Sequence, residues 1–332
     1  MSKNFAGFPD LRLRRLRQNA TLRNMLAAPL PGPEKFVWPV FVVEGIGIKQ
    51  PLAAMPGQFR YSVDTLVEAA GEVRAMGIKS LMIFGVVGPE RKTPAGDYGW
   101  SPDGVVQCAV SALKIAWPDL VIFTDVCLCE YTSHGHCGVL DGSGKVVNDP
   151  SLELLAKIAL SHAAAGADAV APSAMMDGQT AAIRQALECA GYQDTLLLSY
   201  STKFASGMYG PFREAANSAP SSGDRKSYQA DWRNLRTAML ESLLDESEGA
   251  DMLMVKPALF YLDIICRLKE STLLPVAAYN VSGEYSMLIA TAERGWGDLK
   301  TLVRESVGAL SRAGTDIFIS YWASQYDKLL KE

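Results

Sequence analysis

No uncharged apolar run in the chain approaches the ~20 residues that a helix needs to span a bilayer, so no stretch reads as a membrane segment. Positive charge is not in excess: 32 lysines and arginines stand against 36 aspartates and glutamates, a formal net charge of −4. That balance gives no electrostatic case for nucleic acid or an anionic lipid surface as the main partner. The N-terminus lacks the apolar core of a secretory signal. The six cysteines are therefore not expected to form a disulfide framework, and a reducing, cytoplasmic setting is expected. A Gly-x-Gly-x-x-Gly fingerprint after the first strand-like run is also missing, which removes the main dinucleotide-binding reading.

What is present is a globular composition, 48% hydrophobic and 20% charged over 332 residues. Short apolar runs recur along it: Phe36–Val43, Ser80–Val86, and residues 120–127, 167–172, 195–201, 250–256, 274–279 and 315–321. Nearly all are continuously apolar rather than alternating, as expected of parallel strands buried on both faces. Between them, residues 62–76, 150–165, 179–190, 229–248, 261–270, 284–294 and 298–313 carry helical spacing. Three helix-to-strand joins contain Gly166, Gly249 and Gly314, suited to helix C-caps. Eight strand–helix alternations in one order predict an α/β fold, a closed (β/α)8 TIM barrel over residues 35–332.

Residues 1–34 precede the barrel as an extended arm. From Leu11 to Arg23 they hold five arginines and no acid. A transit peptide is one reading of such a segment. The other is a basic arm packing on another subunit or on its own barrel, with Leu11, Leu13, Leu16 and Leu22 as contacts.

In this fold chemistry sits at the C-terminal ends of the strands. Those ends carry Asp125 and Cys127, Ser173, Lys203, Lys256, Tyr279 and Ser282, and Tyr321. Lys256 closes Met-Leu-Met-Val-Lys-Pro. Desolvation there would lower its pKa by up to ~3–5 units and leave a neutral amine fit for imine chemistry with a ketone. The alternative is a lysine that snorkels out of the barrel mouth. Lys203 lies on the adjacent strand, and two neighbouring amines would lower each other's pKa.

Cys127, Cys129 and Cys137 place three soft ligands at short spacing, which suits Zn2+. A closed structural site would need a fourth ligand, from His134 or His136; a catalytic site keeps one position open. Reduced thiols packed as small hydrophobes are the other possibility. His162 falls mid-helix and reads as structural. Residues 204–228, rich in Gly, Ser, Ala and Pro, are long for a connection and read as a lid or as a solvated charged loop. On the first reading Arg213 and Arg225, with Gln229 just beyond, suit a substrate carboxylate.

These segments resemble the porphobilinogen synthase (5-aminolevulinate dehydratase) family. The matching stretches are RLRR, TDVCLCEYTSHGHCG, APSAMMDG, SYSTKFASGMYGPFREA, GDRKSYQ, ADMLMVKP and AAYNVSGEY. The resemblance implies a lyase that condenses two 5-aminolevulinate molecules to porphobilinogen, losing two waters, in tetrapyrrole (heme) biosynthesis. It implies that Lys256 holds the first substrate as an imine with Ser282 and Tyr321 on its carboxylate. Lys203 would hold the second, whose carboxylate meets Arg213, Arg225 and Gln229, while Asp125 and Ser173 line the site near the bound amine. It further implies catalytic zinc on Cys127, Cys129 and Cys137 (the cysteine-rich subtype), allosteric Mg2+ on Glu241, and a homo-octamer built by the arm. Glu241 on a helix face also reads as an ordinary exposed acid. The chain departs from some members at Ser227, where a cysteine joins a histidine in a second zinc site.

Two other readings are a class I aldolase, which needs one imine lysine and no cysteine triad, and a zinc-dependent scaffold, which predicts a closed four-ligand site. Removing metal with a chelator is expected to stop turnover while circular dichroism stays that of a folded barrel, because eight strands hold the fold without metal. Unfolding on chelation would make the metal structural.

Overall fold

The computed structural model describes residues 7–331; residues 1–6 of the expected arm and residue 332 of the barrel segment lie outside the described residues. Eight parallel strands form the central sheet: β1 (Phe36–Val43), β2 (Ser80–Val86), β3 (Val121–Val126), β4 (Ala169–Pro172), β5 (Leu196–Lys203), β6 (Met252–Lys256), β7 (Val276–Asn280) and β8 (Ile317–Ser320). Each pairs with its sequence neighbour, and β8 closes on β1 through Phe36↔Phe318 and Val37↔Ile319. The barrel expected from the sequence is therefore the fold, with β1 and β2 at the bounds read from it. The others begin a residue or two later, because the first residues of those runs are joins rather than ladder.

Helices cover the outside between successive strands. One of them, Val105–Ala116, has no counterpart among the sequence-predicted helices. Its sequence, VVQCAVSALKIA, buries Val106, Ala109, Val110 and Leu113 at i, i+3, i+4 and i+7, a helical period that the sequence carries and that reading for strand-like runs passed over. The helix expected at 229–248 begins later, at Leu235. Asn234 caps it, its side chain accepting from Thr237 N at 3.2 Å, a local bond that competes with helix upstream. Among the described residues no helix is long and apolar enough to cross a membrane.

The three glycine joins do more than end helices. Gly166, Gly249 and Gly314 take positive φ of 101°, 98° and 105°, and each is followed two residues later by an aspartate that enters the next strand. Asp168 Oδ2 accepts from Ile122 N of β3 at 2.6 Å, Asp251 Oδ2 from Leu197 N of β5 at 2.7 Å, and Asp316 Oδ2 from Val276 N of β7 at 2.9 Å. Each also faces a cation from a preceding helix: Lys114, Arg184 and Lys269. Three repeats of one device thus lock pairs of strands at the N-terminal end of the barrel, away from the mouth.

At the mouth the register decides which side chains meet. β5 and β6 pair as Leu253↔Ser199, then Val255↔Thr202 and Lys256↔Lys203, so three residues of β5 pass two of β6: a β-bulge. Side chains in a strand alternate between faces. Ser199 bonds outward to Asp245 at 2.6 Å, and both Ser201 and Thr202 face Ser242 of the same outer helix. Two consecutive outward residues return Lys203 to the inner face, beside Tyr200. Without the bulge, Lys203 would point at the helices.

Along the arm Leu11, Leu13, Leu16, Met25 and Leu26 are exposed, whereas at its end Leu30 packs against the barrel core and the Pro31 carbonyl accepts from Tyr326 OH at 3.2 Å. Replacing Asp316 by Ala should leave Val276 N without an acceptor and lower stability by about 1–3 kcal/mol, read as a denaturant midpoint, with the secondary structure retained.

Candidate active site

Lys256 and Lys203, side by side in register, are both buried. Both ammonium nitrogens lie over the Tyr200 ring, 4.9 Å and 5.4 Å from its centroid. Lys256 Nζ is caged further by Tyr279 at 4.2 Å, Phe212 at 4.9 Å, Tyr209 at 5.7 Å and Phe84 at 5.8 Å. Cation–π attraction to five rings recovers part of the lost hydration, about 0.5–2 kcal/mol per contact. It does not recover all of it: burial, and then the neighbouring Lys203, bring the Lys256 amine from 10.5 down to about 7. Half of such amines are neutral at pH 7, against about one in three thousand for an amine at 10.5. The reading in which Lys256 snorkels to solvent is excluded.

Lys203 Nζ donates to the Ser173 carbonyl oxygen at 2.5 Å, and Ser173 Oγ donates to Asp125 Oδ2 at 3.1 Å. Asp125 Oδ1 is buried with no hydrogen-bond partner. Burial pushes this carboxyl above the usual carboxylate range while Lys203 and Lys256 pull it back. Ser173, Asp125 and the two lysines line one cavity with Cys129, and Arg213 and Arg225 reach into it from the segment above.

The three cysteines converge. Their sulfurs lie within 4.8 Å of one another, all buried, with Cys127 and Cys129 Sγ 3.3 Å apart. Thiol contacts from Cys127 and Cys129, helped by Arg225 and Lys203, hold Cys137 well below the ordinary thiol range, whereas burial pushes Cys127 up. Three clustered soft donors, one favoured as thiolate, fit a thiophilic metal ion. Neither histidine joins them. His134 Nε2 sits 3.2 Å from the Pro94 carbonyl, and His136 is held by Tyr228 OH and the Ser222 carbonyl. His162 is buried with neither ring nitrogen bonded, and burial lowers it to about 3; it is a neutral packing residue.

The segment 204–228 is docked on the mouth rather than solvated, and part of it, Gly210–Ala215, is helical. Arg225 is 7% exposed and donates to the Gly135 and Ser218 carbonyls. The Nε atoms of Arg213 and Arg225, and both amide atoms of Gln229, are buried without partners. Gln229 lines a separate hollow with Ser227 and Glu241. Glu241 is half-buried; burial, and then Asp177, Asp245 and Glu248, raise its carboxyl. Ser282 Oγ accepts from Phe212 N at 2.9 Å, and Tyr321 OH lies 3.1 Å from Tyr279 OH. Both are buried beside the segment.

A family model described as delta-aminolevulinic acid dehydratase matches residues 10–329. The chain belongs to the delta-aminolevulinic acid dehydratase family. A protein of that description from Synechococcus elongatus is 51% identical over 319 residues, 95% of this chain and 97% of the relative. One from Methanothermobacter thermautotrophicus is 51% identical over 97% of this chain and 98% of its own. A crystal structure of delta-aminolevulinic acid dehydratase (porphobilinogen synthase) from Toxoplasma gondii, in complex with the reaction product porphobilinogen, superposes with a TM-score of 0.93. It is 45% identical and spans 96% of this chain and 91% of that one.

Within this dehydratase-family site, reading the sequence missed Glu130 and the aromatic cage. Glu130 Oε2 lies 3.2 Å from Cys129 Sγ, and burial, with Asp125 beside it, raises its carboxyl to about 7. Its only sequence signal is adjacency to Cys129. The cage joins rings from three strands and the segment 204–228, so no local pattern announces it. The Lys256 amine is nucleophilic only when deprotonated. Reductive trapping of a small keto acid on Lys256 should therefore rise through pH 7 and level off by about pH 8.5. Trapping that climbs only above pH 9.5 would mean an unperturbed amine.

Proposed function

We propose that this protein condenses two molecules of 5-aminolevulinate into porphobilinogen with loss of two waters, as a tetrapyrrole-pathway lyase of the cytoplasm. The observation that carries the reading is the pair of amines held in register in one closed cavity. The neutral Lys256 amine attacks the keto carbon of one substrate, and loss of water leaves an imine. Lys203 captures the second substrate in the same way. Asp125, whose free Oδ1 lies in the cavity and whose pKa is raised, holds and passes protons near the substrate amine, with Ser173 orienting it. The unpaired Nε atoms of Arg213 and Arg225 supply donors to one carboxylate in the cavity, and Gln229, whose unpaired amide lines the adjoining hollow, would join them by turning toward it; Ser282 and Tyr321 serve the other. Phe212 and the rest of residues 204–228 form a lid that excludes water.

Cys127, Cys129 and Cys137 would hold Zn2+, which supplies Lewis-acid polarisation of an oxygen or nitrogen atom beside the imines. Glu241 would take an allosteric Mg2+ in the neighbouring hollow, which Asp177 and Asp231 also line. The exposed arm leucines, together with Trp232, Leu240, Leu243, Leu244 and Phe260 exposed on the barrel, support an octamer in which residues 1–34 cover another subunit. A class I aldolase accounts for Lys256 and leaves Lys203 and the thiols without a role.

Turnover with 5-aminolevulinate, with and without Zn2+ and Mg2+, tests the proposal. Lys256→Ala should lower kcat by at least about 10³-fold and abolish borohydride labelling. Lys203→Ala should keep the label on Lys256 and lose product. Full-stoichiometry labelling of another residue in Lys256→Ala would sink the assignment.

A further inference from the structure

The turn after β7 carries a glycine with no local reason to be one. Gly283 is the second residue of the helix Ser282–Glu293 and lies outside the left-handed backbone region, so alanine, the better helix former, suits the backbone. What forbids alanine is the chain above it. A Cβ at 283 would lie 2.4 Å from the Met208 carbonyl oxygen, 2.8 Å from its Cα and 2.9 Å from its carbonyl carbon. These are backbone atoms and cannot swing aside like the tip of a side chain.

The residues on either side of Gly283 join the same parts. Ser282 Oγ holds Phe212 N at 2.9 Å, and the Phe212 ring faces Lys256 Nζ. The buried Glu284 carboxylate accepts from Ala258 N at 3.0 Å and Leu259 N at 2.7 Å, just beyond Lys256, and from Asn280 Nδ2 and Val281 N of its own turn. Three consecutive residues therefore tie residues 204–228 and the Lys256 turn into one unit.

We propose that Gly283 is a positioning residue, the seat on which Met208 rests when the lid closes over Lys256. This rests on the reading of residues 204–228 as a lid and of the chain as a 5-aminolevulinate-condensing enzyme. Only a hydrogen at 283 lets the Gly207–Tyr209 turn descend far enough for Ser282 to reach Phe212 N and for Phe212 and Arg213 to enter the cavity. A methyl group there lifts the turn by about 1 Å, a displacement that costs up to about 10²-fold in rate when it moves groups aligned on a substrate.

The test uses the full chain and two variants. Gly283→Ala is the probe. Gly308→Ala is the control, because a Cβ there meets nothing closer than Leu30 Cδ2 at 3.7 Å. Gly283→Ala should keep or raise the melting temperature and still trap substrate on Lys256. It should also speed tryptic cleavage after Arg213, raise KM, and lower kcat/KM about tenfold to a hundredfold. Gly308→Ala, inside the helix Leu299–Ala313, should also keep or raise the melting temperature but leave cleavage after Arg213, KM and kcat/KM unchanged. Wild-type kcat/KM and cleavage in Gly283→Ala overturn the proposal, and so does a fall of several degrees in melting temperature, which makes the glycine a requirement of the fold. If the unaltered protein makes no porphobilinogen, the functional reading fails by itself. The cleavage rate after Arg213 still decides the seat.

Discussion

Two lysine amines buried side by side set the terms for the rest of this molecule. Water is the natural partner of an ammonium group, and two such groups in one dry cavity repel as well as desolvate each other. The structure meets the difficulty with unequal solutions. Lys203 keeps a carbonyl acceptor in Ser173, while Lys256 is given only ring faces and releases its proton near neutrality. Asp125 and Glu130 supply negative charge close by, and each is drawn toward its protonated form by the same burial. The site is a cluster of groups poised between two protonation states, which is what acid–base chemistry on an imine calls for.

The thiol loop and the segment over the mouth belong to the same construction. Arg225 donates to the Gly135 carbonyl, Ser221 N donates to the His134 carbonyl at 3.0 Å, and His136 bonds Tyr228. The His136 ring, just before Cys137, is thus occupied in stitching the two loops together rather than in holding a metal, and the His134 ring turns to the Pro94 carbonyl. The loop that bears the thiols and the loop that bears the arginines are ordered by common bonds, so the order of one depends on that of the other.

Much of this was legible in the sequence because parallel strands buried on both faces leave long apolar runs, and the polar residue that ends each run stands out. Lys256, Lys203, Asp125 and Cys127 were found that way, and Cys129 and Cys137 by their short spacing from Cys127. What escaped notice has definite causes. The helix Val105–Ala116 does carry its period in Val106, Ala109, Val110 and Leu113, but its Val-rich start reads as easily as a strand. The bulge on β5 leaves no composition signal in Leu-Ser-Tyr-Ser-Thr-Lys, although a strict alternation from Tyr200 would have turned Lys203 outward. The cage rings come from separate elements that only closure of the barrel brings together, and Glu284 reads as a helix-start acid until its four donors are seen. The glycines at the joins were visible as a pattern, but the reach of the aspartates behind them to the preceding strand is a tertiary fact.

One of those aspartates governs more than its own surroundings. Asp251 binds Leu197 N and so fastens the lower end of β5 to β6. A strand fastened below cannot take up an additional residue by sliding as a whole; the surplus has to bulge out higher up, and it does so between Ser199 and Thr202. The two amines therefore meet one residue out of the phase that holds at the opposite end of the barrel, where the Asp251 carboxylate and the pairs Met252↔Leu198 and Leu253↔Ser199 keep β5 and β6 in step.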